Sequence, residues 1–233
     1  MNVVTAPTPE AVAIAVADHV AAALIRLDGP ATLGLAGGGT PRLAYAAMRD
    51  HEIAWEDVTM WLGDERWVAH DHPESNVGMV RAELVDPVNG HLLAPNHGIG
   101  DPKVAAAAYE TALGSAFVDR GFGKAPDIVL LGIGDDGHTA SLFPGTVALE
   151  SVHLGYLANW VESKDAWRLT ATLPLLWAAG ELVFIVTGDA KAQVVKEILE
   201  DGVPYPAQRA AENAVTVTWF LDDAAASLLG SAT

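Results

Sequence analysis

The sequence contains no cysteine, which excludes disulfide bonds, thiolate metal sites and cysteine nucleophiles. Basic residues are scarce: 13 lysines and arginines stand against 30 aspartates and glutamates, for a formal net charge of −17. Nucleic acids and anionic membranes are polyanions, so this balance argues against both as partners. In such an acidic chain, a basic residue near a glycine-rich loop carries more information than it would in a basic protein.

Long apolar runs are missing as well. The apolar N-terminal segment 11–27 is interrupted by Asp18, His19 and Arg26, and no stretch approaches the roughly 18 apolar residues that span a bilayer. The first ten residues lack the basic region that opens a secretory signal peptide. With no disulfides either, the sequence predicts a cytoplasmic protein.

The residues that are present indicate an α/β chain. Apolar residues make up 51% of the 233 positions, enough for a substantial core. Turn residues and apolar periodicity predict strands over 31–36, 58–62, 127–131, 181–187 and 214–220. They predict helices over 9–27, 41–49, 103–120 and 190–199, and a short helix capped by Asp222. This alternation indicates a mostly parallel sheet with both faces covered, and no linker divides the single domain expected over 1–233.

The first candidate site is the glycine loop formed by Gly37, Gly38, Gly39 and Thr40, between an expected strand and an expected helix. Glycines let backbone N–H groups turn toward a ligand, and a helix N-terminus adds partial positive charge that favours phosphate. Thr40 can cap the helix or donate its hydroxyl to a phosphate oxygen. The spacing matches neither the Walker A motif nor the dinucleotide fingerprint, so an ordinary tight turn is the alternative.

A second group, Asp64, Glu65 and Arg66, follows the strand expected over 58–62. An acid pair beside an arginine can bind sugar hydroxyls and an anionic group. The alternative is a solvated loop with local ion pairs. His70 and His72 lie in the following loop without an evident third ligand, so no metal is expected there.

The third group is the most informative, because a buried strand runs directly into a loop that carries Asp135, Asp136 and His138. Histidine is suited to accept and return a proton near neutrality, and an adjacent carboxylate such as Asp136 can orient the ring. Ser141 is a conceivable nucleophile, but its surroundings are not the Gly-x-Ser-x-Gly elbow. A histidine with a purely structural role is the alternative.

Two further cations complete the set of candidates. Arg168 lies in the segment Trp-Arg-Leu-Thr, and Lys191 stands where a helix begins after a strand. A lysine at a helix start opposes the helix dipole, and a bound phosphate dianion would offset that cost. Two ordinary surface cations are the alternative.

These groups, in this order, resemble the 6-phosphogluconolactonase family. The resemblance covers nearly the whole chain and is most specific in the segment 132–145, which ends in Gly-Asp-Gly-His-Thr-Ala-Ser-Leu-Phe-Pro-Gly. It implies a three-layer α/β/α fold with a Rossmann-like sheet, shared with glucosamine-6-phosphate deaminase. It also implies hydrolysis of 6-phosphoglucono-δ-lactone, a small phosphorylated sugar lactone, without a required cofactor or metal. The family often carries serine where this chain has Ala36 and Gly39.

On this resemblance we expect His138 to act as general base, oriented by Asp136, with Arg66 or backbone donors stabilising the oxyanion. The glycine loop, Arg168 and Lys191 would hold the phosphate, and Asp64 would contact hydroxyls. The deaminase is the nearest alternative, but its pattern continues to an Asn-Glu-Pro, where this chain has Leu142, Phe143 and Pro144. A third interpretation of the sequence is a sugar-phosphate sensor domain that binds without catalysis. The protein is expected to be a monomer or a small homo-oligomer.

Overall fold

The computed structural model describes residues 1–121 and 123–230. Its strands are β1 (Asn2–Ala6), β2 (Ala31–Leu35), β3 (Val58–Leu62), β4 (Asp64–Arg66), β5 (His91–Leu92), β6 (Val118–Asp119), β7 (Lys124–Ala125), β8 (Ile128–Leu131), β9 (Tyr156–Val161), β10 (Ala166–Ala171), β11 (Glu181–Val186) and β12 (Val217–Asp222). Its α-helices are α1 (Pro9–Leu27), α2 (Gly39–Met48), α3 (Asn76–Val80), α4 (Pro102–Ala116), α5 (Leu173–Trp177), α6 (Ala192–Leu199) and α7 (Pro206–Glu212).

The main sheet has the strand order β1-β12-β11-β8-β2-β3-β5 across the described residues. Every neighbouring pair in it is parallel. Such a sheet must be covered on both faces, because both faces of its strands are apolar. Helices lie on both sides, so the predicted three-layer α/β/α fold is confirmed.

Alternate residues of the main sheet face two separate apolar cores, as the period of two in a strand requires. Along β8, Ile128 and Leu130 face one core, whereas Val129 and Leu131 face the other. Helices α1, α2 and α3 contribute to the first core. Helices α4 to α7 contribute to the second, together with residues of β9 and β10.

Local signals place the first helix as the sequence predicts. Thr8 lies in an extended conformation and its Oγ1 accepts a hydrogen bond from Ala11 N at 3.2 Å, while Pro9 occupies the first helical position. The helix ends at Asp28, which adopts a left-handed conformation with φ of 49°. Gly29 and Pro30 follow and prevent its continuation.

A second, antiparallel sheet was not predicted from the sequence. It has the order β4-β10-β9, with Arg168 of β10 opposite Arg66 of β4. The segment that contains β9 and β10 is partly polar and lacks clean alternation, so periodicity alone does not identify it. This small sheet brings Arg168 next to the group at Asp64 to Arg66.

Some predicted boundaries are wrong. The helix predicted over 103–120 ends at Ala116, because Phe117 turns into an extended conformation and buries its ring in the core. No helix follows Asp222 within the described residues: 223–228 form turns, and the Asp222 carboxylate accepts hydrogen bonds from Ala225 N and Gly188 N. The N-terminal strand β1 was also missed, although Val3, Val4 and Thr5 favour a strand.

The carboxyl ends of β2 and β8 define where a ligand can enter. These strands are neighbours, and Asp127 holds them together by accepting hydrogen bonds from Thr32 N and Thr32 Oγ1 at 2.8 and 3.0 Å. After β2 the chain continues into α2 on one face of the sheet, whereas after β8 it continues into the core on the other face. Adjacent loops that diverge in this way leave a crevice, the usual binding position in open α/β sheets.

Candidate active site

A cavity of about 360 Å³ occupies this crevice. It is lined by the loops that follow β2, β3 and β8 and by the turn between β9 and β10. Five residues predicted from the sequence line it: Gly37, Asp64, Arg66, His138 and Arg168. Gly38, Gly39, Thr40, Asp136 and Lys191 do not line it directly.

The carboxylate of Glu65 organises one wall of the cavity. Glu65 is 2% exposed, and its oxygens accept hydrogen bonds from Arg66 N, Ser75 Oγ, Asn76 N and Val77 N, at 2.6 to 3.0 Å. Burial raises the pKa of Glu65, and these hydrogen bonds oppose that shift by stabilising the carboxylate. Glu65 therefore closes the loop between Arg66 and Asn76, and gives both a defined position.

Asp64 lies beside this loop and is also largely buried. Its Oδ2 accepts a hydrogen bond from Ser141 Oγ at 2.6 Å, and its backbone carbonyl accepts one from Asn76 Nδ2 at 2.9 Å. The hydroxyl of Ser141 is thus committed to Asp64. This arrangement does not favour Ser141 as a nucleophile, because the histidine of the site has a different partner.

That histidine, His138, is paired with Asp136. The His138 Nδ1 lies 2.5 Å from Asp136 Oδ1, and the ring stacks on Phe143 with 4.0 Å between centroids. Burial acts to raise the pKa of Asp136, but the hydrogen bond and charge of His138 outweigh it, and the pKa is lowered. Because a carboxylate only accepts, Nδ1 carries the hydrogen and Nε2 is left as the proton acceptor of the neutral ring.

The glycine loop packs closely against the wall that Glu65 organises. A Cβ atom built on Gly37 would lie 2.0 Å from Asn76 Oδ1, so only glycine fits at that position without movement of Asn76. Gly38 has a φ of 113°, which favours glycine, and precedes the first residue of α2. Thr40 Oγ1 lies 2.8 Å from Thr187 Oγ1, which connects the loop to the turn after β11.

Arg66 and Arg168 face each other across the small sheet. Like charges placed directly opposite in an antiparallel pair are destabilising. Burial, and then the charge of Arg66, lower the pKa of Arg168, and its buried Nε has no hydrogen-bond partner among the described residues. Arg66 Nη1 donates to the carbonyl of Glu74 at 2.5 Å. An anion bound between the two guanidinium groups would relieve this repulsion.

The other predicted cation, Lys191, is placed differently. It ends a 3₁₀ turn (Asp189–Lys191) before α6, and its ammonium contacts the carboxylate of Asp135. The structure therefore brings Arg168 to the cavity wall and leaves Lys191 in an ion pair outside it.

Sequence reasoning missed Lys164, which also lines the cavity. It ends the 3₁₀ turn (Glu162–Lys164) between β9 and β10, where Asp165 adopts a left-handed conformation. The signal that could have identified it is a basic residue in a Ser-Lys-Asp turn shortly before Arg168. Without the hairpin, nothing in the sequence directs this turn toward the glycine loop.

Within residues 1–121 and 123–230, no group of three or more His, Asp or Glu side chains is placed to hold a metal ion. His70 Nε2 lies 2.9 Å from the carbonyl of Pro95, and His72 Nδ1 lies 3.1 Å from Glu74 N. Among the described helices, none is long and apolar enough to cross a membrane.

The chain is similar to known proteins over most of its length. A family model described as glucosamine-6-phosphate isomerases/6-phosphogluconolactonase matches residues 7–219. A 6-phosphogluconolactonase from Synechocystis sp. is 39% identical over 205 residues, which cover 84% of this chain and 84% of that protein. The chain belongs to this family.

Solved structures of glucosamine-6-phosphate isomerase/6-phosphogluconolactonase relatives show the same fold. A 6-phosphogluconolactonase from Trypanosoma cruzi has a TM-score of 0.87 and 26% identity, with 98% of this chain and 96% of that chain covered. A monomeric glucosamine-6-phosphate deaminase has a TM-score of 0.83 and 24% identity, with 98% and 100% covered. The fold alone therefore does not separate the two activities, and the residues of the site must do so.

The contact between Gly37 and Asn76 leads to a prediction. Gly37→Ala should lower kcat/KM by roughly tenfold to hundredfold, because the added methyl group displaces Asn76 and the wall around it. Gly114→Ala is the matched control, since a Cβ at Gly114, an exposed position of α4 outside the cavity, meets no atom within 4 Å, and its activity should stay within about twofold. Steady-state kinetics on both variants checks this, and an equal loss in both would contradict the steric explanation.

Proposed function

We propose that this chain hydrolyses 6-phospho-D-glucono-1,5-lactone to 6-phospho-D-gluconate, the second step of the oxidative pentose phosphate pathway. The observation that carries the proposal is the His138–Asp136 pair at a cavity that Arg66 and Arg168 also line. The pair can supply a general base, and the arginines can hold anionic groups. Membership of a family that includes 6-phosphogluconolactonases supports the same activity.

In the proposed reaction, His138 Nε2 takes a proton from a water molecule whose oxygen attacks C1 of the lactone. The carbonyl electrons move onto the exocyclic oxygen, and Arg66 or nearby backbone N–H groups stabilise this oxyanion. When the intermediate collapses, the bond from C1 to the ring oxygen breaks and His138 returns the proton to that oxygen. The carboxylic acid formed then ionises, so the overall reaction consumes one water molecule.

We assign binding roles to the residues around this centre. Arg168 and Lys191, with Gly37, Gly38, Gly39 and Thr40, hold the phosphate. Lys164 is added to this group because it lines the cavity close in sequence to Arg168. Asp64 contacts substrate hydroxyls, and Asp136 positions His138 by fixing its tautomer.

Residues after His138 favour the lactonase over the deaminase. The deaminase needs an acid in this segment for ring opening, whereas here Leu142 and Phe143 are buried and Phe143 stacks on His138. A lactone is already reactive, so a positioned general base suffices for its hydrolysis.

Other features belong to the same proposal. We propose that the chain acts as a single domain over 1–233, in the cytoplasm, as a monomer or small homo-oligomer. The net charge of −17 would repel a dianionic substrate at long range, but salt screens it over about 8 Å at physiological ionic strength. Near the site, the attraction of the substrate by the cations at the cavity can therefore exceed the repulsion by the net negative charge.

The proposal is tested by following hydrolysis of freshly generated 6-phosphoglucono-δ-lactone with a chelator present, against the spontaneous rate. Ammonia release from glucosamine 6-phosphate is measured in parallel. Rapid lactone loss without ammonia is the expected result. Ammonia without lactone loss would establish the deaminase instead. Inactivity in both assays would favour the sensor reading and make sugar-phosphate binding the next measurement.

The general-base assignment predicts that His138→Ala lowers kcat by about 10²–10⁴-fold while binding of 6-phosphogluconate changes little. His91→Ala is the control, because His91 is an exposed histidine on β5. Asp136→Asn should also lower kcat, by less than the loss of the base. A fall in kcat of less than about tenfold in His138→Ala would rule out the general-base role.

The cation assignment predicts that Arg168→Ala raises KM by about tenfold or more, because it removes a charged hydrogen-bond donor to the phosphate. Lys164→Ala should raise KM in the same direction. Lys196→Ala serves as control, since Lys196 lies on α6 and is paired with Asp201, which follows the helix. If Arg168→Ala lowered kcat and left KM unchanged, Arg168 would be assigned to stabilising the oxyanion and not to binding the phosphate.

A further inference from the structure

Asp135 has a contact that the reaction described above does not use. Its carboxylate contacts the Lys191 ammonium, and this is its only side-chain hydrogen bond among the described residues. The hydrogen bond and charge of Lys191 lower the pKa of Asp135, so the carboxylate is ionised at neutral pH. The side chain of Asp135 is 82% exposed, whereas that of Lys191 is 22% exposed. Asp135 can therefore move away from Lys191 without disturbing a packed core.

The turn that carries Lys191 is connected to the glycine loop, where the phosphate is proposed to bind. The hydroxyl of Thr187, four residues earlier, lies 2.8 Å from that of Thr40 in the glycine loop. Asp135 itself is three residues from His138, whose ring lines the cavity. The Lys191 turn is thus joined to the glycine loop through Thr187 and to the His138 loop through Asp135, and a carboxylate of the protein already engages its ammonium.

We propose that Asp135 is a specificity-determining residue whose carboxylate competes with the substrate phosphate for Lys191. This inference rests on the proposed function, in which Lys191 holds the phosphate. A ligand without an anionic group at that position has no need to displace Asp135. A phosphorylated ligand must displace it, and its binding is weakened by the free energy of the ion pair that it breaks.

The competition has a specific kinetic consequence. The phosphate is not altered when the lactone opens, so an interaction with it strengthens the binding of substrate, transition state and product alike. Such uniform binding lowers KM without raising kcat, and it also strengthens inhibition by the product. By weakening the hold on the phosphate, Asp135 raises both KM and the product inhibition constant by the same factor, which favours product release.

A different role for Asp135 makes the opposite prediction. If its carboxylate positions the Lys191 ammonium for the phosphate, removal of the charge would misplace Lys191 and raise KM. The direction of the change in KM therefore decides between competition and positioning.

The decisive variant is Asp135→Asn, which keeps the shape of the side chain and removes its charge. KM for the phosphorylated lactone and the inhibition constant of 6-phosphogluconate should both fall about two- to fivefold, the range for an exposed ion pair. The value of kcat should stay within about twofold, because the phosphate is not altered when the lactone opens. Raised salt should reduce the difference between the variant and the unchanged protein.

Two controls separate the ion pair from a general change in charge. Asp189→Asn removes one negative charge two residues from Lys191, where the carboxylate accepts a hydrogen bond only from Ala190 N among the described residues. It should lower KM less than Asp135→Asn does. In a Lys191→Met background, Asp135→Asn should no longer lower KM, because the ammonium for which Asp135 and the phosphate compete has been removed.

Equal or higher KM in Asp135→Asn would overturn the proposal, as would an undiminished effect in the Lys191→Met background. Calorimetric titration with 6-phosphogluconate keeps this test separate from the test of the lactonase activity. If the unchanged protein does not hydrolyse the lactone, the proposed function fails, and the Kd of 6-phosphogluconate then decides the role of Asp135. A lower Kd in Asp135→Asn supports competition, and an unchanged or higher Kd rejects it.

Discussion

The divergence of the chain after two neighbouring parallel strands is the constraint on which the site depends. Strands β2 and β8 are hydrogen-bonded to each other, and Asp127 binds Thr32 where they begin. The segments that follow β2 and β8 run to opposite faces of the sheet, so a crevice remains between them at the carboxyl ends of the two strands. The glycine loop and the His138 loop border this space, and the small antiparallel sheet closes its third side.

Within this crevice, hydrogen-bonded carboxylates determine which side chains remain free for a ligand. Glu65 is occupied by four donors of its own loop, and Asp64 holds Ser141 and Asn76. The Asp136 carboxylate is occupied by His138, which leaves Nε2 as the acceptor. The acidic residues thus serve mainly to position their neighbours, whereas Arg66, Arg168 and Lys164 remain at the cavity to meet an anion. This division explains how so acidic a chain presents a site suited to a phosphorylated ligand.

Prediction from sequence succeeded where the signal was local. The strand and loop around Asp136 and His138, the glycine loop and the N-cap of α1 each depend on residues within one short segment. It failed for the sheet formed by β4, β9 and β10, because β4 and β10 lie about a hundred residues apart and the alternation along β9 and β10 is weak. For the same reason Lys164 was missed, and Arg168 and Lys191 were grouped although only Arg168 lines the cavity.

The sequence by itself determined the layered α/β class and the family, since both follow from short patterns of residue types. Only the tertiary structure decided which of those residues share the cavity. It placed Arg66 opposite Arg168, hydrogen-bonded the Ser141 hydroxyl to Asp64 and paired Lys191 with Asp135. These pairings join segments far apart in the chain, so they depend on how the strands and loops pack and are not encoded in any local pattern.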